Sequence, residues 1–295
     1  MGNQKKGIKR FFSGVYAQKR TYVYLMLPAA ILFSVFVVWP FLKGIPYSFY
    51  EWDGFSPNMK WVGIKNYQSL FHNKEFYSSL AVSLKFTGIS LVLCNAIGLT
   101  LAFCIYQESH INRFFKTINF MPFAISIVLA SFVWKYVFGE ILYGMYGLPS
   151  LLADEKWAVL GITLIEVWRD VGYCMILYVA ALCNVPTQIA ESASIDGASG
   201  IKKFIHITVP MIMPAITTNI TLILGWGLIT FDYSLAATSG GPGTATQSVA
   251  LLVYRNIFLY FKAGYGQAMA IVLAAGTIII TTLLASILRK REVEF

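Results

Sequence analysis

The chain has 295 residues, of which 57% are hydrophobic and only 13% are charged. Soluble domains are about 45–50% apolar and about 25% charged, so this composition excludes an ordinary soluble globular protein and indicates a membrane protein. A formal net charge of +9 would also suit a nucleic-acid partner, but the placement of the charges along the chain favours a membrane.

Long charge-free stretches predict six helices that cross a bilayer, since each is close to the roughly 20 apolar residues a crossing needs. The predicted spans are about 22–43, 79–106, 114–138, 158–183, 211–233 and 265–288. Within lipid, helices satisfy their own backbone hydrogen bonds. The predicted fold is therefore an all-α integral membrane protein with six transmembrane helices, in which residues 21–295 form one membrane domain after a basic leader at 1–20.

Two stretches outside these spans have a distinct composition. Residues 48–77 contain EWDGFSPNMKWVGIKNYQSLF, whose aromatic and turn-forming residues predict a small folded cap. The stretch 233–254 is free of charge, but SGGPGTATQ in its middle is rich in helix breakers. We therefore expect a loop there and not a seventh span.

Lysine and arginine are concentrated on one side of the predicted membrane, in the leader, the 107–116 loop, the 184–206 loop and the C-terminus. The loops on the other side are nearly balanced in charge. Cytoplasmic loops carry the excess of positive charge, so both termini are predicted to be cytoplasmic. The basic excess is explained by this topology, and no nucleic-acid partner is predicted.

Cysteines and histidines give no sign of a disulfide framework, a metal site or a catalytic centre. The cysteines lie inside predicted spans without Cys-x-x-Cys spacing, and the histidines lie in separate loops. These residues are Cys94, Cys104, Cys174, Cys183, His72, His110 and His206.

The passage ESASIDGASGIKKFIHITVPMIMP, residues 191–214, interrupts two apolar runs with acids, lysines, glycines and prolines. Pro186 suits the first turn of a helix and Gly197 its end, which predicts a short helix over TQIAESASI. A second helix is predicted through GIKKFIHIT toward Pro210. Together they would form a cytoplasmic elbow between spans four and five, onto which a groove of another protein could close. An ordinary surface loop is the alternative.

The string ESASIDGA, followed by Phe204, Ile207, Thr208, Pro210 and Pro214, resembles the EAA motif of ABC-importer permeases. Ser192 and Val209 depart mildly from that motif. FDYSLAATSGGP at 231–242, followed by Thr246, Tyr254 and Gly264 to Gly266, resembles the carbohydrate-uptake branch, the group of the maltose and glycerol-phosphate transporter permeases.

This resemblance implies a permease subunit of a heteromeric importer of a sugar or oligosaccharide in a bacterial cell membrane. The implied partners are a second permease subunit, an ATP-binding subunit dimer, an external solute-binding protein and membrane lipids. ATP and Mg would be bound by the partner ATPase subunits, and the chain has no G-x-x-x-x-G-K-S or G-x-x-x-x-G-K-T sequence of its own. No enzyme activity and no cofactor are therefore expected in this chain. The implied coupling loop spans about 184–210, and its ATPase contacts are Glu191, Ala193, Asp196, Gly197 and Ala198.

Span four carries four polar residues on one helical face, because they are spaced i, i+3, i+4 and i+7. Ionisable side chains at membrane depth normally face a bundle interior or a water-filled path. Carboxylates and amides bind hydroxyl groups, and aromatic rings cover the apolar side of a sugar, so this face and one on span five are the predicted substrate contacts. In the resembled family, sugar contacts come from these two helices. The residues are Glu166, Arg169, Asp170 and Tyr173 on span four, and Asn219, Ile223, Trp226, Gly227 and Thr230 on span five, with Gly227 expected to leave room for a sugar ring.

Several alternatives remain for these residues. Glu166, Arg169 and Asp170 could only neutralise one another, and Trp226 could face lipid or the core. An ion-coupled secondary transporter would use the charged trio as a relay, although the internal duplication frequent in such carriers is not visible. An intramembrane enzyme is the least favoured class, because only Glu166 and Asp170 could serve it as an acid–base pair.

Overall fold

The structure is a computed structural model, and it describes residues 24–186, 188–189, 192 and 200–292. These residues form an almost entirely helical protein with one small antiparallel sheet, made by the strands Tyr50–Glu51 (β1) and Lys60–Trp61 (β2). The all-α fold class predicted from the composition is therefore confirmed.

The helices are described here in chain order. They are α1 (Tyr24–Tyr47), α2 (Lys65–Phe71), α3 (Lys74–Ile105), α4 (His110–Phe120), α5 (Ile127–Tyr146), α6 (Ala158–Cys183), α7 (Gly200–Met211), α8 (Met213–Leu228), α9 (Asp232–Thr238), α10 (Val249–Leu259) and α11 (Ala263–Arg289). Single 3-10 turns lie at Met121–Ala124 and Leu151–Ala153.

Four of these helices, α1, α3, α5 and α11, are long and apolar enough to cross a membrane. The pair α7 and α8, bent by 70°, makes a fifth candidate if it counts as one span. Helix α6 coincides with the predicted fourth span, and its 26 residues make it about 39 Å long. Glu166, Arg169 and Asp170 place three ionisable side chains near its middle, and this sets it apart from those four helices. The other helices give five candidate crossings at most, so the predicted number of six spans is reached only if α6 also crosses the membrane.

The third predicted span, 114–138, was wrong as a single helix. The chain leaves the helical path after Phe120, makes a 3-10 turn over Met121–Ala124 and resumes as α5, which continues to Tyr146. Proline at 122 has no N–H to donate, so the helical hydrogen-bond pattern is interrupted there. Ser126 then starts α5, since its hydroxyl accepts a hydrogen bond from the Leu129 N–H at 3.2 Å.

The fifth predicted span, about 211–233, is confirmed at its start, where α8 begins at Met213, but the helix ends earlier than predicted. The helix bends at Ile212 and a new helix begins, with Pro214 in the first turn of α8. Helix α8 ends at Leu228, and α9 is a separate short helix. The predicted loop at SGGPGTATQ does lie between helices, because α9 ends at Thr238 and α10 begins at Val249.

The predicted cap at 48–77 is folded and is fixed to the start of α11. The Asn66 amide donates to the carbonyls of Ser48 and Tyr50 at 2.8 and 2.9 Å, which holds α2 against β1. The Gly264 N–H donates to the Trp52 carbonyl at 3.1 Å. A Cβ at Gly264 would lie 1.9 Å from the Tyr50 carbonyl oxygen, so only glycine permits this contact.

The core lies where α3, α6 and α8 pack together. Cys94, Cys174, Tyr178 and Ile223 are buried in one cluster there, whereas Cys104 and Cys183 are exposed. The place of all four cysteines inside predicted spans predicts small core residues; this is confirmed for Cys94 and Cys174 and wrong for Cys104 and Cys183.

The second arm of the predicted elbow lies within the described residues, whereas only Gln188, Ile189 and Ser192 of the first arm do, and these three are helical. Helix α7 covers the predicted helix toward Pro210 and meets α8 at the 70° bend. The coupling residues Glu191, Ala193, Asp196, Gly197 and Ala198 lie outside the described residues. Their contact with an ATPase therefore stays a prediction.

Candidate functional site

A cavity of about 290 Å³ lies between α6, the break that separates α4 from α5, and the segment that joins α8 to α9. Its wall is made of charged, hydroxyl and aromatic side chains and two isoleucines. The lining residues are Phe123, Ile127, Glu166, Arg169, Asp170, Trp226, Ile229, Thr230, Phe231, Asp232 and Tyr233.

Five of the predicted substrate residues meet in this cavity. Glu166, Arg169 and Asp170 come from α6, while Trp226 and Thr230 come from the end of α8 and the link after it. These are the two elements whose polar faces were predicted to match. The structure therefore brings these five residues to one cavity, and their contact with a substrate stays a prediction.

The charges on α6 divide into two separate arrangements and do not form one closed ion network. Arg169 pairs with Asp170, with Nη1 and Oδ1 2.5 Å apart. Glu166 is buried and accepts a hydrogen bond from the Ser90 hydroxyl of α3. Mutual neutralisation, the alternative weighed for this trio, therefore describes Arg169 and Asp170 but not Glu166.

Arg169 also holds the break between α4 and α5. Its Nε donates to the Ile125 carbonyl at 3.0 Å, and Nη2 donates to the Phe123 carbonyl at 3.3 Å. Its guanidinium carbon lies 4.9 Å from the centre of the Phe123 ring. Non-helical backbone in a membrane protein needs partners for its freed polar groups, and one arginine side chain supplies them here.

The aromatic side chains form a continuous group beside the charges. The Tyr173 ring centre lies 4.8 Å from that of Phe123 and 5.6 Å from that of Trp226. Trp226 is 38% exposed and lines the cavity, so it is not a buried core residue. Tyr173 supports this wall from behind and is not itself among the lining residues.

Asn219 and Ile223 do not reach the cavity. The Asn219 amide donates to the Cys174 carbonyl at 3.2 Å, and Ile223 is fully buried in the core cluster. Both residues pack α8 against α6, which is a structural role. The structure therefore separates them from the predicted contacts that line the cavity.

Gly227 faces α3 and does not leave the room beside Trp226 that was predicted. A Cβ at this position would lie 2.8 Å from the Thr87 hydroxyl oxygen and 2.9 Å from its methyl carbon. Real Cβ atoms essentially never make contacts this short. The absence of a side chain therefore serves the close approach of α8 to α3.

We expect Gly227→Ala to destabilise the protein by about 1–3 kcal/mol, because the added methyl group overpacks the contact with Thr87. Gly225→Ala is a matched control on the same helix, where the nearest atom to a new Cβ is 3.8 Å away. The measurement is thermal unfolding in detergent. Equal melting temperatures for the two variants would contradict this account of Gly227.

Sequence reasoning missed the lining residues that come from breaks in the helices. Phe123 and Ile127 flank the break after α4, and Ile229, Phe231 and Asp232 lie on the link between α8 and α9. Pro122 was the available signal for the first break. The second had no comparable signal, because residues 228–233 contain neither proline nor glycine.

A second polar cluster fastens the 239–248 loop to α3. Gln247 is fully buried, and its amide nitrogen donates to Glu75 at 3.0 Å and to Ser79 at 3.2 Å. Arg255 Nη1 donates to Oε1, the side-chain amide oxygen of Gln247. The Ser83 hydroxyl accepts from the Val249 N–H at 3.1 Å. These bonds place the loop that follows TSGGP directly against the first half of α3.

Comparison with known protein families identifies the class of this chain. Residues 94–293 match the family described as binding-protein-dependent transport system inner membrane component. The chain belongs to this family. It is therefore an inner-membrane transport permease, as the EAA-like motif predicted, and this membership does not favour the alternative of an ion-coupled secondary transporter.

The relatives of this permease include proteins named for carbohydrate uptake. It is 28% identical to the probable starch degradation products transport system permease protein AmyD of Thermoanaerobacterium thermosulfurigenes, over 98% of this chain and 99% of the relative. It is 30% identical to the multiple sugar-binding transport system permease protein MsmF of Streptococcus mutans, over 92% and 96% of the two chains. The predicted likeness to the carbohydrate-uptake branch is confirmed.

Solved structures show the same fold. A chain of a bacterial ABC transporter involved in the import of the acidic polysaccharide alginate matches the permease with a TM-score of 0.77 at 22% identity, over 95% of this chain and 99% of the other. The alginate transporter in complex with an alginate pentasaccharide-bound periplasmic protein matches with a TM-score of 0.75 at 23% identity, over 93% and 96%.

Proposed function

We propose that this permease is one of two membrane subunits of a heteromeric ABC importer that takes up a sugar or oligosaccharide. The observation that carries the proposal is the cavity, where hydroxyl-binding groups and aromatic rings from separate helices face one space. The names of AmyD and MsmF support a carbohydrate as the class of substrate.

The cavity wall supplies both kinds of contact that a sugar needs. Trp226, Phe123 and Phe231 present rings to the apolar C–H side of a sugar. The buried hydroxyl of Thr230 has no hydrogen-bond partner among the described residues and is free to bind a sugar hydroxyl. The carboxylate of Asp232 adds a stronger, charged acceptor.

The proposed mechanism is alternating access driven by a partner ATPase dimer, which binds ATP and Mg. A solute-binding protein delivers the sugar from outside, and both termini of the permease are cytoplasmic. Closure of the ATPase dimer moves the elbows of the two permease subunits and opens the cavity outward, and hydrolysis restores the inward state. The bend between α7 and α8 supports this coupling, because packed helices shift as units and α8 carries Trp226 at its far end.

We expect Gly197→Leu to abolish sugar uptake by the complete importer while the chain still inserts in the membrane, because a large side chain would prevent the elbow from docking. The matched control is Gly276→Leu on α11, where no atom lies within 4 Å of a new Cβ. The measurement is ATP-driven uptake of a labelled oligosaccharide into proteoliposomes. Normal uptake by the Gly197 variant would contradict the coupling role, and uptake that needs an ion gradient in place of ATP would favour a secondary transporter.

A further inference from the structure

The cavity carries more acidic than basic side chains. Among the described residues that line it, Arg169 is the one cation, and three carboxyl groups line the same wall, those of Glu166, Asp170 and Asp232. A cavity that binds an anionic ligand normally offers arginine or lysine in the opposite ratio.

Three N–H groups of Arg169 already form hydrogen bonds within the protein. Its Nη1 is paired with Asp170, while Nε and Nη2 bind the carbonyls of Ile125 and Phe123. One face of the guanidinium also packs on the Phe123 ring. The charge of the guanidinium is therefore already balanced by Asp170, and only two of its five N–H groups are left for a ligand.

The remaining groups suit a neutral ligand. The Thr230 hydroxyl has no partner among the described residues, and Asp232 is exposed at the start of α9. Glu166 is already bonded to Ser90. Sugar hydroxyls can donate to these oxygens, whereas a carboxylate of the sugar would meet the like charge of Asp232 and, among these three groups, only the Thr230 hydroxyl as a donor.

We propose that this permease's half of the transport pathway selects a neutral saccharide and excludes saccharides that carry carboxylate groups. The inference rests on the proposed function, because it names the class of substrate for the same cavity. The alginate transporters share the fold of this permease at 22–23% identity, and that likeness does not extend to their acidic substrate.

The test measures sugar binding to the membrane complex without its binding protein, so that the affinity reported is that of the membrane part. The complex of this permease with its sister permease and ATPase subunits is titrated calorimetrically with matched pairs of probes. Maltotriose is compared with its C6-oxidised glucuronic derivative, and mannotriose with trimannuronate. We expect the carboxylated member of a pair to bind at least about tenfold more weakly, a difference of about 1.4 kcal/mol.

Variants that change the charge at Asp232 test whether this preference arises in the cavity. Asp232→Lys should bring the two affinities of a pair close to each other, and Asp232→Asn, which keeps the shape of the side chain, should have an intermediate effect. The control is Glu140→Lys, an exposed position on α5 outside this cavity, which should leave the ratio of affinities unchanged.

The outcomes distinguish a failure of the charge selection from a failure of the proposed function. Equal or tighter binding of the carboxylated probe, or a ratio that Asp232→Lys does not change, overturns the charge selection while leaving sugar import intact. If neither member of any pair binds or is taken up, the proposed function fails and the inference fails with it. A weaker carboxylated probe together with a ratio that shifts in the Asp232 variants supports both.

Discussion

Gly172→Ala is expected to destabilise the permease by about 3 kcal/mol or more and to abolish uptake. A Cβ at Gly172 would lie 1.9 Å from the carbonyl oxygen of Asn119 and 2.9 Å from the Cα of Phe120. Both are backbone atoms at the end of α4, which cannot rotate away as a side chain could. The substitution would push α4 away from α6 and displace Phe123 from the cavity wall.

The matched control for Gly172 is Gly88→Ala on α3, where a new Cβ meets nothing within 4 Å. This control should keep its stability or gain slightly, because alanine is the better helix former. Thermal unfolding of the solubilised complex and ATP-driven uptake provide the two measurements. Parent-like melting of Gly172→Ala would show that α4 and α6 are not in the contact described.

Arg169→Met is expected to have the second large effect, a loss of about 3–5 kcal/mol, because it leaves a buried partner of an ion pair uncompensated. Asp170 would lose its cation, and the carbonyls of Phe123 and Ile125 would lose their donors. Uptake should fall with stability, since the break between α4 and α5 forms one side of the cavity. Melting temperature and uptake are measured on the same preparations.

Two further variants separate the functions of Arg169. Arg169→Lys keeps the charge but lacks the planar fork that reaches three acceptors at once, so it should restore only part of the stability. The double variant Arg169→Met with Asp170→Asn removes the unpaired charge and should melt above Arg169→Met alone. If the double variant is no more stable than the single one, the ion pair is not the source of the loss.

Helix α6 and its polar face could be predicted from the sequence, because both depend on local patterns. The helix occupies the residues expected for span four, and Glu166, Arg169 and Asp170 share one face through helical periodicity alone. The same reasoning named Trp226 on α8, but Thr230 lies beyond the end of α8, so its place in the cavity wall does not follow from helical periodicity.

The break between α4 and α5 could not be predicted in the same way. Pro122 is visible in the sequence, but a proline in a membrane helix can also produce a simple kink. What allows the chain to leave the helix for several residues is a set of donors from Arg169, which lies on a different helix. That contact joins residues that are far apart in the sequence, so it is visible only in the structure.

Gly227 illustrates the same difficulty at a single residue. The sequence shows a glycine next to Trp226, but it does not show whether the space it leaves faces the cavity or a neighbouring helix. The answer depends on Thr87, which lies far away in the sequence on α3. For the coupling residues around Gly197, the interpretation still rests on the resemblance to the EAA motif.

Helix α3 contacts several functional parts of the permease along one rigid axis. Its 32 residues make it about 48 Å long. Near its start it holds Gln247 and the 239–248 loop, at its middle Ser90 bonds to Glu166, and further along Asn95 accepts a hydrogen bond from Tyr178 at 2.5 Å.

Because packed helices shift as units, a displacement of this loop would also displace the helix to which it is bonded. Any protein that binds at the loop and displaces it would also move Ser90 and change the hydrogen bond that fixes the deepest carboxyl group of the cavity. Binding of a partner at the loop would thus change the cavity through α3 alone.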